Sequence, residues 1–362
     1  MFRTCSRALL AAGGDERVWG PVANRRSAAY RAVRKAPPGG LAVRRTFATC
    51  PTILLLASFA SAQAPRCDRA CLEGYVNQYL DALAAHNPFT LPLAPKVRFS
   101  ENDQVLEFGD GMWNVVDGIG NYKHYVADPQ AGQIGFFGTV KENGTPAALA
   151  LRLKIDNRKI TEIETVVLRG GNPNSATLIE QLGQPDPAFL ETVPRAQRLP
   201  RDTLAQVVHK YFDAVEAGVD NGAFHKDCER IGNGVKVTHN SSLSMPGLNW
   251  NPFTLGCGEQ VATKMYSWIE TIYPRRIPIV DDERQAVFAI ATFQVPGNRL
   301  SIQSPGHGTY KFSDDNTVPK FVKVPEAFRM KDGRVYRAAG LVVDLPYGTQ
   351  DAFFKDDWRR RR

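Results

Sequence analysis

A tyrosine and a histidine lie on one face of a predicted helix and could transfer protons together. The face is defined by six apolar residues at helical spacing: Leu72, Tyr75, Val76, Tyr79, Leu80 and Leu83. His86 falls one turn beyond Leu83, on the same side. In an apolar pocket a phenol and an imidazole can exchange protons with a bound molecule. Tyr79 and His86 are therefore catalytic candidates, although core packing and a position against the helix dipole would also explain them.

Several strong enzyme signatures are absent from the sequence. It contains no Gly-x-Ser-x-Gly elbow, no His-Glu-x-x-His motif and no phosphate-binding loop, and Gly118-Ile119-Gly120 lacks the third glycine of a dinucleotide fingerprint. These absences disfavour hydrolase triads, zinc hydrolases and nucleotide enzymes. The spacing of His225, Cys228, His239 and Cys257 matches no compact zinc site. We therefore expect neither a metal nor a cofactor.

An internal repeat organises the chain. The segment Tyr79-Leu80-Asp81-Ala82-Leu83 recurs as Tyr211-Phe212-Asp213-Ala214-Val215, and the same offset of 132 residues aligns Leu72 with Leu204 and Arg98-Phe99 with Arg230-Ile231. Near the ends of the two copies the offset grows to about 175, so the second copy contains insertions, predicted at 238–254 and 296–324. Long inserted loops are typical of lids or mobile decoration.

The pattern after each first helix predicts mainly antiparallel strands. Strands are predicted in the first copy at 97–99, 105–108, 133–141, 147–155 and 160–168, and in the second at 286–293, 326–330 and 335–343. A second helix is predicted over 117–126, with Ile119, Tyr122 and Val126 on one face. His124 and His209 then fall on polar helix faces and are expected to be solvated.

Helices followed by an antiparallel sheet, twice over, indicate an α+β protein. This order resembles the nuclear transport factor 2-like superfamily, which includes SnoaL-like proteins, over residues 67–168 and 201–348. The sequence Leu345-Pro346-Tyr347-Gly348 adds a resemblance to a group of secreted fungal proteins with two such domains. The resemblance implies two tandem cone-shaped domains, each with helices packed on a strongly curved sheet.

The predicted organisation has five parts. They are a leader (1–62), a first cone domain (67–168), a linker (169–200), a second cone domain (201–348) and a basic tail (349–362). Scytalone dehydratase, ketosteroid isomerase and polyketide cyclases of the superfamily place an acid and a base inside the cone. The resemblance thus implies a cofactor-independent dehydratase, isomerase or cyclase acting on a small hydrophobic metabolite, polyketide-like or terpenoid-like. The alternative is a non-catalytic extracellular protein whose cones are filled by their own aromatic side chains.

Further candidates follow from where such a cone would lie. Asp110, with Glu107, ends the first hairpin near the place where ketosteroid isomerases carry an aspartate, although a turn or capping role explains both. The candidate ligand-binding residues are Trp113 and Tyr122 in the first copy and Tyr211, Glu259, Tyr266 and Trp268 in the second. Arg275 and Arg276 could bind an anion or form a solvated pair.

The basic charge is concentrated in the leader. Of the formal net charge of +8, residues 1–62 contribute ten basic against two acidic side chains. We therefore expect no nucleic-acid partner. Residues 51–62 form an apolar run ending in Ala60-Ser61-Ala62, which is typical of a secretory signal and too short to span a membrane. The alternative is a mitochondrial presequence over 1–47.

Cysteine usage favours an oxidising compartment. Four cysteines lie beyond the leader, and their spacing favours Cys67 with Cys71 and Cys228 with Cys257 among the three pairings that four cysteines permit. The triplets beginning at Asn143 and Asn240 are candidate glycosylation sites.

The expected partner is a small hydrophobic molecule. Whether the repeats pair within one chain or between chains in a homodimer is left open by the sequence.

Overall fold

The computed structural model describes residues 67–171, 174–245 and 248–354. They belong to one compact unit that begins at Ala62. The predicted leader and residues 355–362 of the predicted tail lie outside the described residues. Among the described residues, no helix is both long and apolar enough to cross a membrane.

The first repeat is one helix on a six-stranded sheet. Helix α1 spans Arg69–Ala84, and its N-cap Asp68 accepts a hydrogen bond from the Cys71 amide, as N-cap aspartates commonly do. The strands are β1 Leu93–Glu101, β2 Gln104–Leu106, β3 Val116–Asp128, β4 Gln133–Glu142, β5 Thr145–Asp156 and β6 Lys159–Arg169. Their order in the sheet is β2-β1-β6-β5-β4-β3. Only the β1–β6 pair is parallel in this sheet.

The second repeat has the same topology with additions. Helix α2, Ser175–Leu182, lies in the predicted linker, and α3, Arg201–Ala217, corresponds to α1. The remaining elements are β7 Phe224–Gly232, β8 Val235–Lys236, α4 Cys257–Ala262, β9 Thr271–Asp281, β10 Ala286–Val295, β11 Ser301–Ser304, β12 Gly308–Lys311, β13 Lys320–Lys331, β14 Arg334–Gly340 and β15 Val343–Pro346. The sheet order is β8-β7-β14-β13-β10-β9, with β15 pairing with β13. Strands β11 and β12 form a separate hairpin within one predicted insertion.

Each sheet bends around the apolar stripe of its helix. Tyr79 and Leu83 of α1 and Tyr211 and Phe212 of α3 are almost completely buried in two separate cores on the inner faces of the sheets. Register shifts interrupt β3 and β9, and such bulges increase bending and twist. The predicted α+β class with two tandem cone-shaped domains is confirmed.

The second helix predicted in the first repeat is wrong. Residues 117–126 belong to β3, in which Tyr122, His124 and Val126 alternate onto one face and are all buried. The correction changes the environment of His124, which packs 4.5 Å from the ring of Phe189 instead of facing water. Burial lowers its pKa to about 3. His209, by contrast, is exposed on α3 as expected.

The outer faces of the two sheets share a third hydrophobic cluster. It includes Phe137 of the first sheet, Phe288 of the second and Ile179 of α2. The rings of Phe137 and Phe288 lie 5.2 Å apart. A Cβ atom added to Gly135 would lie 2.5 Å from the ring of Phe288, so the bare backbone of this glycine is required for the contact.

Two salt bridges between the repeats have matching positions. Arg69, the first residue of α1, contacts Asp281, the last residue of β9, at 2.7 Å. Arg201, the first residue of α3, contacts Asp128, the last residue of β3. Both aspartates are 1 % exposed. The bridges are reciprocal, since each repeat supplies the arginine of one and the aspartate of the other.

Two disulfides fasten the ends and insertions of the fold. Cys67–Cys71 closes the start of α1, and Cys228–Cys257 joins β7 to α4. Both bonds are those that the spacing favoured. The segment expected to be a basic tail from residue 349 is packed at its start, because Asp351 accepts hydrogen bonds from Lys323 at 2.6 Å and Arg276 at 2.9 Å.

Candidate functional site

The ladders of the two sheets show which residues of the repeats correspond. In the first sheet Asp128 pairs with Gln133, which pairs with Lys154. In the second, Asp281 pairs with Ala286, which pairs with Arg329. Lys154 and Arg329 therefore occupy the same position in the two sheets.

Two apolar positions of the first cone are charged in the second. Counting back along β5 and β13 from that common position places Glu326 where the first repeat has Leu151, a fully buried core residue. In the next strands, Ala338 pairs with Arg230, and Ile163 pairs with Phe99. Since Ala338 and Ile163 occupy the same position in the two sheets, Arg230 stands where the first repeat has Phe99. The sheet register thus differs by one residue from the sequence alignment of Arg230 with Arg98. The second cone thus carries a carboxyl group and a guanidinium cation inside its apolar wall.

These two residues line a cavity in the second cone. The cavity has a volume of about 110 Å³, and its wall includes Tyr211, Tyr266 and Trp268. Three of the four ligand-binding residues predicted for this repeat are thus brought together. The fourth, Glu259, is not, because it is exposed and its carboxylate accepts a hydrogen bond from the Gly256 amide at 2.9 Å, capping α4.

Glu326 is the chemically unusual group of the cavity. Its side chain is 7 % exposed, and its Oε1 atom lies 3.3 Å from the Tyr211 hydroxyl, which donates to it. Burial raises the pKa of Glu326 to about 7, against the opposing effects of the nearby Arg230 cation and the Tyr211 hydrogen bond. A carboxyl group titrating near neutrality can both accept and donate a proton at physiological pH.

A chain of hydrogen bonds connects the cavity to residues 237–270 between β8 and β9, a segment that is much longer than residues 107–115 between β2 and β3 and contains the inserted helix α4. Arg230 donates from Nη1 to the Tyr266 hydroxyl at 3.0 Å, and this hydroxyl donates to Oε1 of Gln260 at 3.0 Å. Gln260 is fully buried on α4 and donates to the Pro252 carbonyl at 3.0 Å. Since Cys228–Cys257 ties α4 to β7, the inserted helix holds Tyr266 and Arg230 in place.

The first cone is filled by its own side chains. Tyr79 lies edge-on to Trp113, with ring centroids 5.3 Å apart, and Phe108 packs on Trp113 at 5.0 Å. Burial raises the pKa of Tyr79 above its ordinary value. Tyr79 and Trp113 are 0 % and 2 % exposed. Their environment suits core packing more than ligand binding.

The other candidates of the first repeat are not assembled around this cone. Helix α1 ends at Ala84, so His86 leaves the predicted face; it has a positive φ of 50°, is exposed, and its Nδ1 lies 2.6 Å from the Trp113 carbonyl, to which it donates. Asp110 is exposed. Tyr122 is buried on the outer face of the sheet, in the cluster shared by the two repeats.

Glu326 and Arg230 were missed by the sequence interpretation, although a signal for Glu326 was present. The offset of about 175 residues at the ends of the repeats sets Glu326 against Leu151. A carboxylate aligned with a core leucine of a duplicated domain indicates a change of role. Arg230 carried no such signal, because the sequence alignment set it against Arg98.

One group of carboxylates is close enough to share a cation. Asp103, Glu164 and Asp351 each present an oxygen within 4.8 Å of the others. The ammonium group of Lys323, fully buried, donates to Asp103 at 2.9 Å and to Asp351 at 2.6 Å. Arg276 contacts Glu164 and Asp351, and Arg152 contacts Glu164. Three protein cations thus supply the positive charge that this group requires, and the arrangement does not fit a metal site.

One protein-family model matches part of the chain. Residues 197–340 match a family model described as a domain of unknown function, DUF8021. No curated protein matches the chain. Similar solved structures include a candidate polyketide cyclase from Silicibacter sp. TM1040, with 16 % identity over 40 % of this chain and 92 % of that one, at a TM-score of 0.25.

Two other solved structures have a similar extent of overlap. An NTF2-like protein from Cytophaga hutchinsonii has 14 % identity over 40 % of this chain and 99 % of that one, at a TM-score of 0.24. A de novo designed protein with a curved β-sheet has 18 % identity over 32 % of this chain and 98 % of that one, at a TM-score of 0.25. Each likeness covers less than half of this chain, and the fold described above rests on the chain's own strands.

Proposed function

We propose that the second cone binds a small, largely apolar molecule and that Glu326 transfers a proton to or from it. The observation that carries the proposal is a buried carboxyl group with a pKa near 7, in contact with Tyr211, at the position of a leucine in the first repeat. A charged group in an apolar wall is costly unless it has a function or a partner. No carboxylate–cation contact within 4.0 Å involves Glu326 among the described residues.

The reaction class is that of a dehydratase, isomerase or cyclase without a cofactor. A carboxylate can remove a proton from carbon next to a carbonyl group, and the negative charge then develops on the carbonyl oxygen. Arg230 and Tyr266 lie on the same cavity wall and could stabilise this charge. This assignment places an acid/base residue and its electrostatic partners in one pocket.

The size of the cavity restricts the ligand. About 110 Å³ is well below the ~300 Å³ at which drug-sized pockets begin. The cavity accepts a compact molecule, or the reactive end of a longer polyketide-like or terpenoid-like one whose remainder passes Val342, which lines the cavity and is 38 % exposed.

We further propose that the first cone is a structural partner and that the two repeats form an intramolecular pseudo-dimer. Reciprocal Arg69–Asp281 and Arg201–Asp128 contacts support this pairing, since two-fold interfaces pair residue i with j and j with i. The division into cone domains at 67–168 and 201–348, joined by the linker 169–200, belongs to the same proposal.

The place of action that we propose is extracellular or in the secretory pathway. Two disulfides among the described residues support it, because such bonds persist in oxidising compartments. Asn143 is exposed in the β4–β5 turn and suits glycosylation. Membership of the group of secreted fungal two-domain proteins is part of this proposal.

Deuterium exchange tests the catalytic proposal without knowledge of the substrate. A panel of compact ketones and β-dicarbonyl compounds is incubated with the protein in D₂O, and loss of α-proton NMR signals is followed. The protein is expected to accelerate exchange of at least one compound, and Glu326→Gln should reduce that rate by about 10²–10⁴-fold. Glu270→Gln removes an exposed carboxylate and is the matched control.

The outcomes are distinct. If no compound exchanges faster than in buffer, or if Glu326→Gln retains the wild-type rate, Glu326 is not a catalytic base for this class of compounds. Equal loss in Glu270→Gln would show that the effect does not arise in the cavity.

A further inference from the structure

A second groove lies on the opposite side of the second sheet from the cone. It has a volume of about 1020 Å³ and is formed between the linker, residues 186–199, and the β13–β14 hairpin. Its charged lining residues are Arg329, Lys331, Asp332 and Arg337 of the hairpin and Asp186 and Glu191 of the linker. Its size is at the upper end of the ~300–1,000 Å³ range of small-molecule sites.

Arg329 is a buried cation without an ionic partner. It is 7 % exposed, and its guanidinium donates to the carbonyls of Ala188, at 2.7 Å, and Met330. Within the described part of the chain, no carboxylate oxygen lies within 4.0 Å of it, although Glu191 and Asp281 act on it from farther away. Burial lowers its pKa below the ordinary value. Arg275 and Arg276, by contrast, each contact carboxylates directly.

The neighbours of Arg329 add positive charge. Arg337 lies directly opposite it on the antiparallel ladder, where like charges are destabilising. The guanidinium of Arg337 stacks 3.7 Å from the centre of the Tyr336 ring, and Lys331 lies over the same ring at 4.9 Å. Asp186 neutralises Arg337 through a 2.8 Å contact, and Asp332, the exposed neighbour of Lys331, contacts His225 at 3.5 Å. Neither acid lies within 4.0 Å of Arg329.

The first repeat provides an internal comparison. At the same ladder position Lys154 faces Glu162, and the two form a salt bridge of 3.1 Å. The second repeat has replaced this opposite-charge pair by two arginines. The shared fold therefore does not require two cations here, and the change favours a negatively charged occupant.

We propose that the groove between the linker and the β13–β14 hairpin binds a small organic anion, whose carboxylate or phosphate group is held by Arg329. The guanidinium suits either group, because its Nη2 makes no hydrogen bond within the described residues and can donate to a carboxylate or phosphate oxygen. Leu199, Val193 and Pro187 line the same groove and offer apolar contact for the organic part. Glu191, on the exposed side of the groove, must turn towards solvent when the anion binds.

Calorimetric titration at constant ionic strength tests this proposal. Benzoate and phenyl phosphate distinguish a carboxylate ligand from a phosphate ligand, and uncharged benzamide controls for apolar binding alone. At least one anion is expected to bind the wild-type protein, and Arg329→Gln should weaken it by about tenfold or more. Arg334→Gln removes an exposed arginine from the same hairpin and should bind like the wild type.

A second variant keeps the test decisive if Arg329→Gln does not fold. Arg337→Glu restores the opposite-charge pair of the first repeat and is expected to abolish anion binding by giving Arg329 a partner. The proposal is overturned if neither anion binds, if benzamide binds as tightly as the anions, or if Arg329→Gln and Arg337→Glu retain wild-type affinity.

Discussion

The buried carboxyl group of Glu326 should make the stability of the fold depend on pH in a defined direction. Its pKa is raised from 4.5 to about 7 by burial. Between these values the unfolded chain releases a proton that the folded protein holds. The free energy of unfolding therefore falls as the pH rises: the stabilisation is fully present below about pH 4.5 and is lost above about pH 7.

The magnitude follows from the size of the shift. One pKa unit corresponds to about 1.4 kcal/mol, so a shift of about 2.5 units corresponds to about 3 kcal/mol of stability lost between pH 4 and pH 8. Glu326→Gln cannot ionise and lacks this contribution. The difference in unfolding free energy between Glu326→Gln and the wild type should thus increase by about 3 kcal/mol, in favour of the variant, over this range.

Urea unfolding followed by tryptophan fluorescence, with the disulfides intact, measures this difference at each pH. Other titrating groups contribute equally to both proteins and cancel. Glu270→Gln, which removes an exposed carboxylate, should show a nearly constant difference from the wild type. A difference for Glu326→Gln that stays within about 0.5 kcal/mol across the range would refute the buried, raised-pKa carboxyl.

Three further predictions concern the contacts between the repeats and one candidate glycosylation site. Arg69→Met and Arg201→Met each leave a buried aspartate without its salt bridge. Each should lower the unfolding free energy by about 2 kcal/mol in urea titrations, and strongly unequal losses would contradict a reciprocal interface. Gly135→Ala introduces a Cβ 2.5 Å from the Phe288 ring and should lower the unfolding free energy by about 1–3 kcal/mol in the same assay. The double variant that also carries Phe288→Leu should recover stability, and an unchanged stability of Gly135→Ala would contradict the contact. Asn240→Gln removes the 2.8 Å bond from Asn240 to the Lys236 carbonyl and should lower the thermal midpoint; an unchanged midpoint would contradict a stabilising role of this bond.

The sequence predicted the repeated architecture because its strongest signals were local. The stripes of α1 and α3 and the turns between β4, β5 and β6 depend on spacing along the chain alone. The false helix at 117–126 arose because Ile119, Tyr122 and Val126 also fit a helical period. In the structure β3 packs against α1 on one side and the second repeat on the other, so nonlocal contacts decide the conformation.

The site was predicted only in part for a related reason. Tyr211 lies on a helix, where the periodic stripe shows which residues face inward. Glu326 lies on β13, where residues 321–330 are buried on both faces of the sheet. The strand therefore lacks the alternation of buried and exposed residues that would show which face carries the carboxylate. His86 was misplaced because the predicted face was extended past the end of α1, next to Asn87-Pro88. Proline disfavours helical backbone in the residue before it.

The contact between Gly135 and Phe288 needs two different residues at one position of the repeat. The ladders place these two residues at the same position of the two repeats, and they touch each other. An interface between two identical copies would have either two glycines or two phenylalanines at this point. Two glycines would leave a void. Two phenyl rings would compete for the space that one ring now fills. A single chain can carry a different residue at this position in each repeat, so that one phenyl ring fills the space over one bare backbone.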